Sequence, residues 1–281
     1  MSTVLKGTGE EVGIDPSGPA RIIGERINRS GRKKLRQALV EGDWDYVIQE
    51  AVMQVEAGAN VLDVNVGAKG IDETLVLPEA VKRISEVVEV PLSIDTRVPA
   101  ALETVLAVCP GRPLVNSIGG EKKILAENLP IVAEHKVPVI VLCMGQGGIP
   151  DNADDRLRVA HQVLNAVIQA GMDEVDVVFD PLVMTVGADD QAALVALETT
   201  RRLKDEFPNN NITGGASNIS FGMPARTIIN AHFLAVASAL GMNMPITDPT
   251  NPQLRFGLLS GNIFLGRDRK TRDFMRYYRT A

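Results

Sequence analysis

The sequence predicts a single-domain α/β fold, a (β/α)₈ (TIM) barrel. Three observations carry that expectation. Eight short apolar runs alternate with longer amphipathic stretches, the runs recur at near-constant spacing, and nearly every run ends in polar side chains. The runs are Arg21–Ile27, Val61–Val66, Pro91–Thr96, Pro113–Ile118, Pro138–Met144, Val175–Pro181, Asn211–Ser217 and Pro245–Asp248. Continuous apolar character, without strict alternation, is what a parallel strand covered on both faces shows. From Glu25 to Asp248 the strand ends recur every 32 residues or so, about one-eighth of a typical barrel. An open doubly wound sheet usually opens on a glycine-rich turn after its first strand, and Gly24-Glu25-Arg26-Ile27-Asn28 is not one.

Between the runs, Trp44–Ala57, Ile124–His135, Asp155–Ala170, Gln191–Phe207 and Pro224–Leu240 place apolar residues three and four apart, as helices do. Asp189 and Asp190 precede one helix, and Pro224 sits where a first-turn proline is tolerated. Gly58, Gly171 and Gly241 stand where left-handed helix stops are expected. Residues 1–20, polar and rich in glycine and proline, read as an N-terminal arm. The barrel then occupies 21–281, including the basic tail Arg267–Arg279, in which Phe274, Tyr277 and Tyr278 suggest a packed terminal helix or a dimer contact.

Composition narrows the function. Of 281 residues 45% are hydrophobic, enough for a large core. A formal charge of −6, from 29 basic and 35 acidic residues, argues against non-specific nucleic-acid binding, which needs a basic surface. No apolar run approaches the roughly 20 residues that span a bilayer. Cys109 and Cys143 lie far apart in apolar surroundings and read as free thiols of a cytoplasmic protein. They share no ligand spacing with His135, His161 or His232, so no directly bound metal is expected.

The polar strand ends are Glu25 and Asn28, Asp63 and Asn65, Asp95, Asn116 and Ser117, Asp180, Ser217 and Asn218, and Asp248. One such residue is commonly a loop cap. A ring of them converging on the C-terminal mouth, where barrel enzymes build their sites, predicts a neutral-to-acidic hydrogen-bonding pocket. Carboxylates accept and carboxamides both donate and accept, so the lining suits a flat heterocycle such as a pterin. A purine or another amide-bearing ring satisfies the same chemistry, and a divalent metal on the aspartates is a weaker competitor.

Six motifs in order sharpen this: Gly24-Glu25-Arg26-Ile27-Asn28, Leu62-Asp63-Val64-Asn65-Val66-Gly67, Ser93-Ile94-Asp95-Thr96, Val115-Asn116-Ser117, Phe179-Asp180-Pro181 and Gly215-Ala216-Ser217-Asn218-Ile219-Ser220. Together they resemble the pterin-binding methyltransferases, that is, methyltetrahydrofolate–corrinoid protein methyltransferases and the folate module of cobalamin-dependent methionine synthase. The resemblance implies transfer of a methyl group between tetrahydrofolate and the corrinoid of a separate corrinoid protein, in the direction methylcob(III)alamin to tetrahydrofolate. It assigns Asp95, Asn116 and Asp180 to the pterin ring, with Ser217, Gly215 and Met144 beside them. Asn218 is then the catalytic amide at the methyl-carrying nitrogen, and Glu25, Asp63 and Asn65 support the pocket. Gly148-Ile149-Pro150 also resembles the family's loop after the fifth strand. Tetrahydrofolate or methyltetrahydrofolate is the implied substrate. Cobalamin is supplied by the partner protein, since no Asp-x-His-x-x-Gly motif is present. A homodimer is expected. Two other readings stand beside this one: a non-catalytic pterin-binding module, and a dihydropteroate synthase-like enzyme. The second is disfavoured because Asn218 and Ile219 follow Ser217 where that enzyme carries an Arg-Lys pair.

Overall fold

The computed structural model of the chain describes residues 2–28 and 32–280. Eight parallel strands close into a barrel: β3 (Ile23–Asn28), β4 (Val61–Asn65), β5 (Leu92–Asp95), β6 (Leu114–Gly120), β7 (Val139–Gly145), β8 (Val177–Asp180), β9 (Asn211–Gly215) and β10 (Met244–Thr247). Closure comes where β10 pairs with β3, placing Ile246 beside Ile23 and Thr247 beside Gly24. Sequence order is spatial order around the ring, as the repeated strand–helix units require.

Three strands start one residue later than the apolar runs do. Pro91, Pro113 and Pro138 have no N–H for the ladder and stand just before β5, β6 and β7. Their carbonyls can still take part: Pro91 O accepts from Leu62 N, and Pro138 O from Val115 N. The run Asn211–Ser217 is also shorter as a strand. β9 stops at Gly215, and Ser217 and Asn218 lie on a 3₁₀ turn, Ala216–Ser220.

The helices ring the barrel: α1 (Lys33–Glu41), α2 (Trp44–Glu56), α3 (Glu73–Ser85), α4 (Pro99–Leu106), α5 (Lys122–His135), α6 (Ala153–Gln169), α7 (Ala192–Glu206), α8 (Arg226–Ala239), α9 (Pro252–Phe264) and α10 (Arg272–Thr280). Gly58, Gly171 and Gly241 end three of them at φ of 90°, 83° and 126°. Pro224 does not occupy a first turn. It precedes Ala225, whose φ of 52° breaks the chain before α8 begins at Arg226. The apolar faces of the helices meet the outer faces of the strands in one large core that includes Cys143.

Residues 1–20 hold more structure than their composition suggests. β1 (Thr3–Lys6) and β2 (Glu11–Ile14) form an antiparallel hairpin across the N-terminal end of the barrel. Leu5 and Ile14, fully buried, pack on Ile23, Val61, Leu114, Ile140, Val178 and Met244, six inward-facing strand residues. Asn211 Nδ2 donates to Thr3 Oγ1 and Ile14 O, which fastens the plug. The hairpin covers that end of the barrel, opposite the C-terminal mouth. The basic tail forms α10, where Phe274 and Tyr277 pack on Phe256 of α9, and Asp268 accepts the N–H groups of Asp273 and Phe274.

Candidate active site

A cavity of about 710 Å³ opens at the C-terminal mouth. Its wall takes Glu25 and Asn28 from β3, Asp63 from β4, Asp95 from β5, Asn116 from β6, Asp180 from β8, and Gly215, Ser217 and Asn218 from the end of β9 and its turn. Eight of the ten residues that the family resemblance assigns to the site therefore meet in one wall. Asn65 and Met144 are not part of it. Asn65 stands behind the wall, hydrogen-bonded to Asp95 and accepting from Gly67 N. Met144, half-buried on β7, lies beside Gly119.

Asp63 organises the floor. It is fully buried and accepts from Asn28 Nδ2 at 3.0 Å, Asn116 Nδ2 at 3.0 Å and Ser93 Oγ at 2.9 Å. Asn28 Nδ2 also donates to Asp95 Oδ2 at 2.9 Å, so one amide links two carboxyl groups. Asn116 gives an N–H to Asp63, and its Oδ1, an acceptor, takes no hydrogen bond from a described residue. Asp180 uses Oδ1 to accept from Leu182 N at 2.7 Å, which leaves Oδ2 for a ligand. Ser217 Oγ donates to Glu25 Oε1 at 2.6 Å. The Asn218 side chain is exposed and makes no hydrogen bond to a described residue. Among the described residues it is the one strand-end amide whose donors and acceptor are all available.

Burial dominates the electrostatics. It pushes Glu25 up to about 7 against the Ser217 hydrogen bond, and Asp180 up to about 6 against the Leu182 N–H and the Arg156 charge. Asp63 is raised by burial despite its three donors, and Asp95 by burial and the Asp63 charge. Asp248 behaves differently. Burial raises it, but the Thr250 hydrogen bonds and Arg26 outweigh that and hold it below its usual range. Arg26 Nη1 lies 2.9 Å and Arg32 Nη2 3.3 Å from Asp248 Oδ2, while Glu50 takes Arg26 from the other side at 2.6 Å.

These shifts set the sign of a pH effect on folding. Four carboxyl groups bind protons more tightly folded than unfolded, where they titrate near 4. The folded state therefore holds more protons from about pH 4 up through the raised values, and stability falls across that window as pH rises. The ligand-free protein is expected to melt highest near pH 5 and several degrees lower at pH 8, by scanning calorimetry. A melting temperature that climbs from pH 5 to pH 8 would contradict this electrostatic picture.

Sequence reasoning missed the helical part of the wall. Arg226 and Asn230, four apart on α8, share one face and line the cavity with Phe221, Asn251 and Leu254. Arg226 Nε donates to Ser220 Oγ and its Nη2 to Ser217 O, bracing the turn that carries Asn218. The spacing of Arg226 and Asn230 was visible, but nothing in it distinguishes a cavity face from a solvated one. Arg32, which follows the first strand in the chain, rims the mouth as well. Among the described residues no three His, Cys, Asp or Glu side chains converge to hold a metal ion.

The comparisons agree with this geometry. At 28% identity over 260 residues, the chain is similar to the methylcorrinoid:tetrahydrofolate methyltransferase of Eubacterium limosum, covering 92% of this chain and 96% of that one. It is 28% identical over 237 residues to the methionine synthase of Mycobacterium tuberculosis, covering 80% of this chain but 20% of that longer protein. By structure it resembles dihydropteroate synthase from Xanthomonas albilineans in complex with 7,8-dihydropteroate. There the TM-score is 0.70 at 18% identity, over 93% of this chain and 98% of the other. The Yersinia pestis dihydropteroate synthase in a sulfonamide drug complex gives 0.71 at 17% identity, over 96% and 100%. Likeness at that identity speaks for the fold alone. The family model described as pterin binding enzyme spans residues 24–248, from the first barrel strand to the end of the last, and the chain belongs to that family.

Proposed function

We propose that the protein is a methyltransferase that moves a methyl group between tetrahydrofolate and the corrinoid of a separate corrinoid protein, from methylcob(III)alamin to tetrahydrofolate. The observation that carries it is the unengaged Asn218 amide, in one cavity wall with Asp95, Asn116 and Asp180, where Asn116 Oδ1 and Asp180 Oδ2 accept from no described residue. The match to the methylcorrinoid:tetrahydrofolate methyltransferase over nearly its whole length supports the same reading.

The wall fits the substrate. A pterin edge presents an exocyclic amine and a ring N–H, which one carboxylate can take at two points. Asn116 Oδ1 offers a further acceptor. Hydrogen bonds to charged groups contribute about 1.5–3 kcal/mol each, so the floor fixes the ring before chemistry begins. In the transfer the lone pair of the reacting folate nitrogen forms the bond to the methyl carbon and the nitrogen releases its proton to solvent, while the cobalt–carbon bond breaks and its electron pair stays on cobalt. The corrinoid supplies the methyl and accepts that pair. Asn218 hydrogen-bonds the nitrogen as its charge changes, and no covalent enzyme intermediate is needed. Among the described residues no histidine lines the cavity, so the proposed mechanism uses no imidazole as acid–base group.

The corrinoid protein meets the C-terminal mouth, because the hairpin seals the other end. A second copy of the chain is the expected partner on the face of α8 and α9, where Ile228 (53% exposed) and Phe264 (72% exposed) flank Phe256. No described helix is long and apolar enough to cross a membrane. Free Cys109 and Cys143 support a cytoplasmic setting. The test mixes the protein with tetrahydrofolate and methylcob(III)alamin, free and carried on a corrinoid protein. Appearance of the cob(I)alamin spectrum is expected; its absence with the carried form would overturn the assignment.

A further inference from the structure

The chain turns sharply just behind Asp180. Leu182 adopts a left-handed backbone, φ 66°, which a non-glycine residue takes at a cost. That turn delivers the Leu182 N–H to Asp180 Oδ1. The carbonyls of Pro181 and Leu182, on either side of this strained unit, both accept from Arg156 Nη1, at 2.7 and 2.8 Å. Arg156 Nε donates to Pro150 O at 2.9 Å, so one side chain on α6 ties the loop after β7 to the loop after β8.

Arg156 is 3% exposed and makes no ion pair with a described residue. A buried guanidinium facing only carbonyls is expensive, and a neutral amide would bond those carbonyls with less desolvation. Arginine stays charged even here. The groups facing it are the Asp180 carboxyl, the Cys143 thiol on β7 and Asp151 in the preceding loop. Burial keeps the Cys143 thiol neutral, and Asp151 is exposed. The buried charge that Arg156 complements is therefore Asp180.

We propose that Arg156 is a positioning residue for Asp180: it holds the loop that aims Leu182 N–H at one carboxylate oxygen, and its charge keeps the other oxygen anionic for the pterin. This rests on the reading of Asp180 as a pterin anchor. Arg156 touches neither substrate nor corrinoid, since it lies outside the cavity wall. Its influence should appear in the pH dependence of folate binding, which a purely structural clamp would leave in place.

The experiment measures tetrahydrofolate affinity by calorimetry from pH 5 to 9 for the wild type, Arg156→Gln, Arg156→Lys and Asp180→Asn. Asp180→Asn should weaken binding and erase one acid limb. Arg156→Gln should move that limb up by roughly 1 pH unit, the low end of the effect of a nearby opposite charge. Arg156→Lys, which keeps the charge, should restore most of the wild-type profile. If Arg156→Gln and Arg156→Lys lower affinity alike with the limb unmoved, the clamp is structural and the proposal falls. If Asp180→Asn itself leaves binding unchanged, the pterin assignment of Asp180 fails first. Should Arg156→Gln not fold, carboxyl ¹³C titration of the wild type decides. Asp180 must then titrate below Asp95, which has no cation beside it among the described residues, and the reverse order overturns the proposal.

Discussion

Asn218→Ala should lower methyl transfer by about 10²–10³-fold, the usual loss when one preorganised hydrogen-bonding group at a charge-changing atom is removed. Folate affinity should change little. In the proposed reading the ring is anchored by groups on β5, β6 and β8, whereas Asn218 sits on the turn after β9 and is bonded to none of them. The loss should therefore fall on kcat and leave the Kd near its wild-type value, the pattern of an interaction made chiefly in the transition state. The nitrogen changes charge as the methyl arrives or leaves, and only a group that can adjust to both states helps in both directions. An amide does so by rotating between its oxygen and its N–H₂. The geometry permits that rotation, because the side chain is exposed and unengaged. Arg226 braces the turn through Ser217 O and Ser220 Oγ, so the backbone beneath Asn218 is held while its side chain is free. Single-turnover kinetics with saturating tetrahydrofolate checks this. Near-normal turnover would remove Asn218 from the chemistry.

The barrel was legible because each strand is an apolar run with a polar terminus, a signal that needs no knowledge of partners. Asp95, Asn116 and Asp180 stand among those polar termini, and the family resemblance singled them out. Their wiring was not legible. Asp63 looks like any other strand-end acid in the sequence, yet register sets Ser93 beside it and barrel closure brings Asn28 and Asn116 onto its two oxygens. Arg226 and Asn230 belong to a helix whose cavity face is chosen by how α8 packs on α9. Gly257 and Gly261 of α9 lie so close to Ala231 and Ser238 of α8 that a side chain at either would collide. The N-terminal hairpin was hidden because its strands have four residues each, flanked by glycine and proline, and bury only Thr3, Leu5 and Ile14 fully.

Asp95→Asn should weaken tetrahydrofolate binding by about 10–100-fold, equivalent to losing one or two hydrogen bonds to a charged group. The asparagine N–H₂ would also face pterin donors, so the substitution replaces an attraction with an opposed pair of donors. Proton release is the second signature. In the empty pocket burial and the Asp63 charge raise Asp95, so near neutral pH it holds a proton that the bound pterin does not want. A ligand that binds the anion more tightly than the acid must expel that proton, and affinity must rise with pH through the raised value. Asp63 does not take over this role, because Asn28, Ser93 and Asn116 already occupy its oxygens. Titration calorimetry in buffers of different ionisation enthalpy measures the protons released. The wild type should release a substantial fraction of a proton near pH 7, and Asp95→Asn distinctly less. Equal release from both proteins would show that the proton leaves another group, with Glu25 on β3, raised to about 7, the next to test.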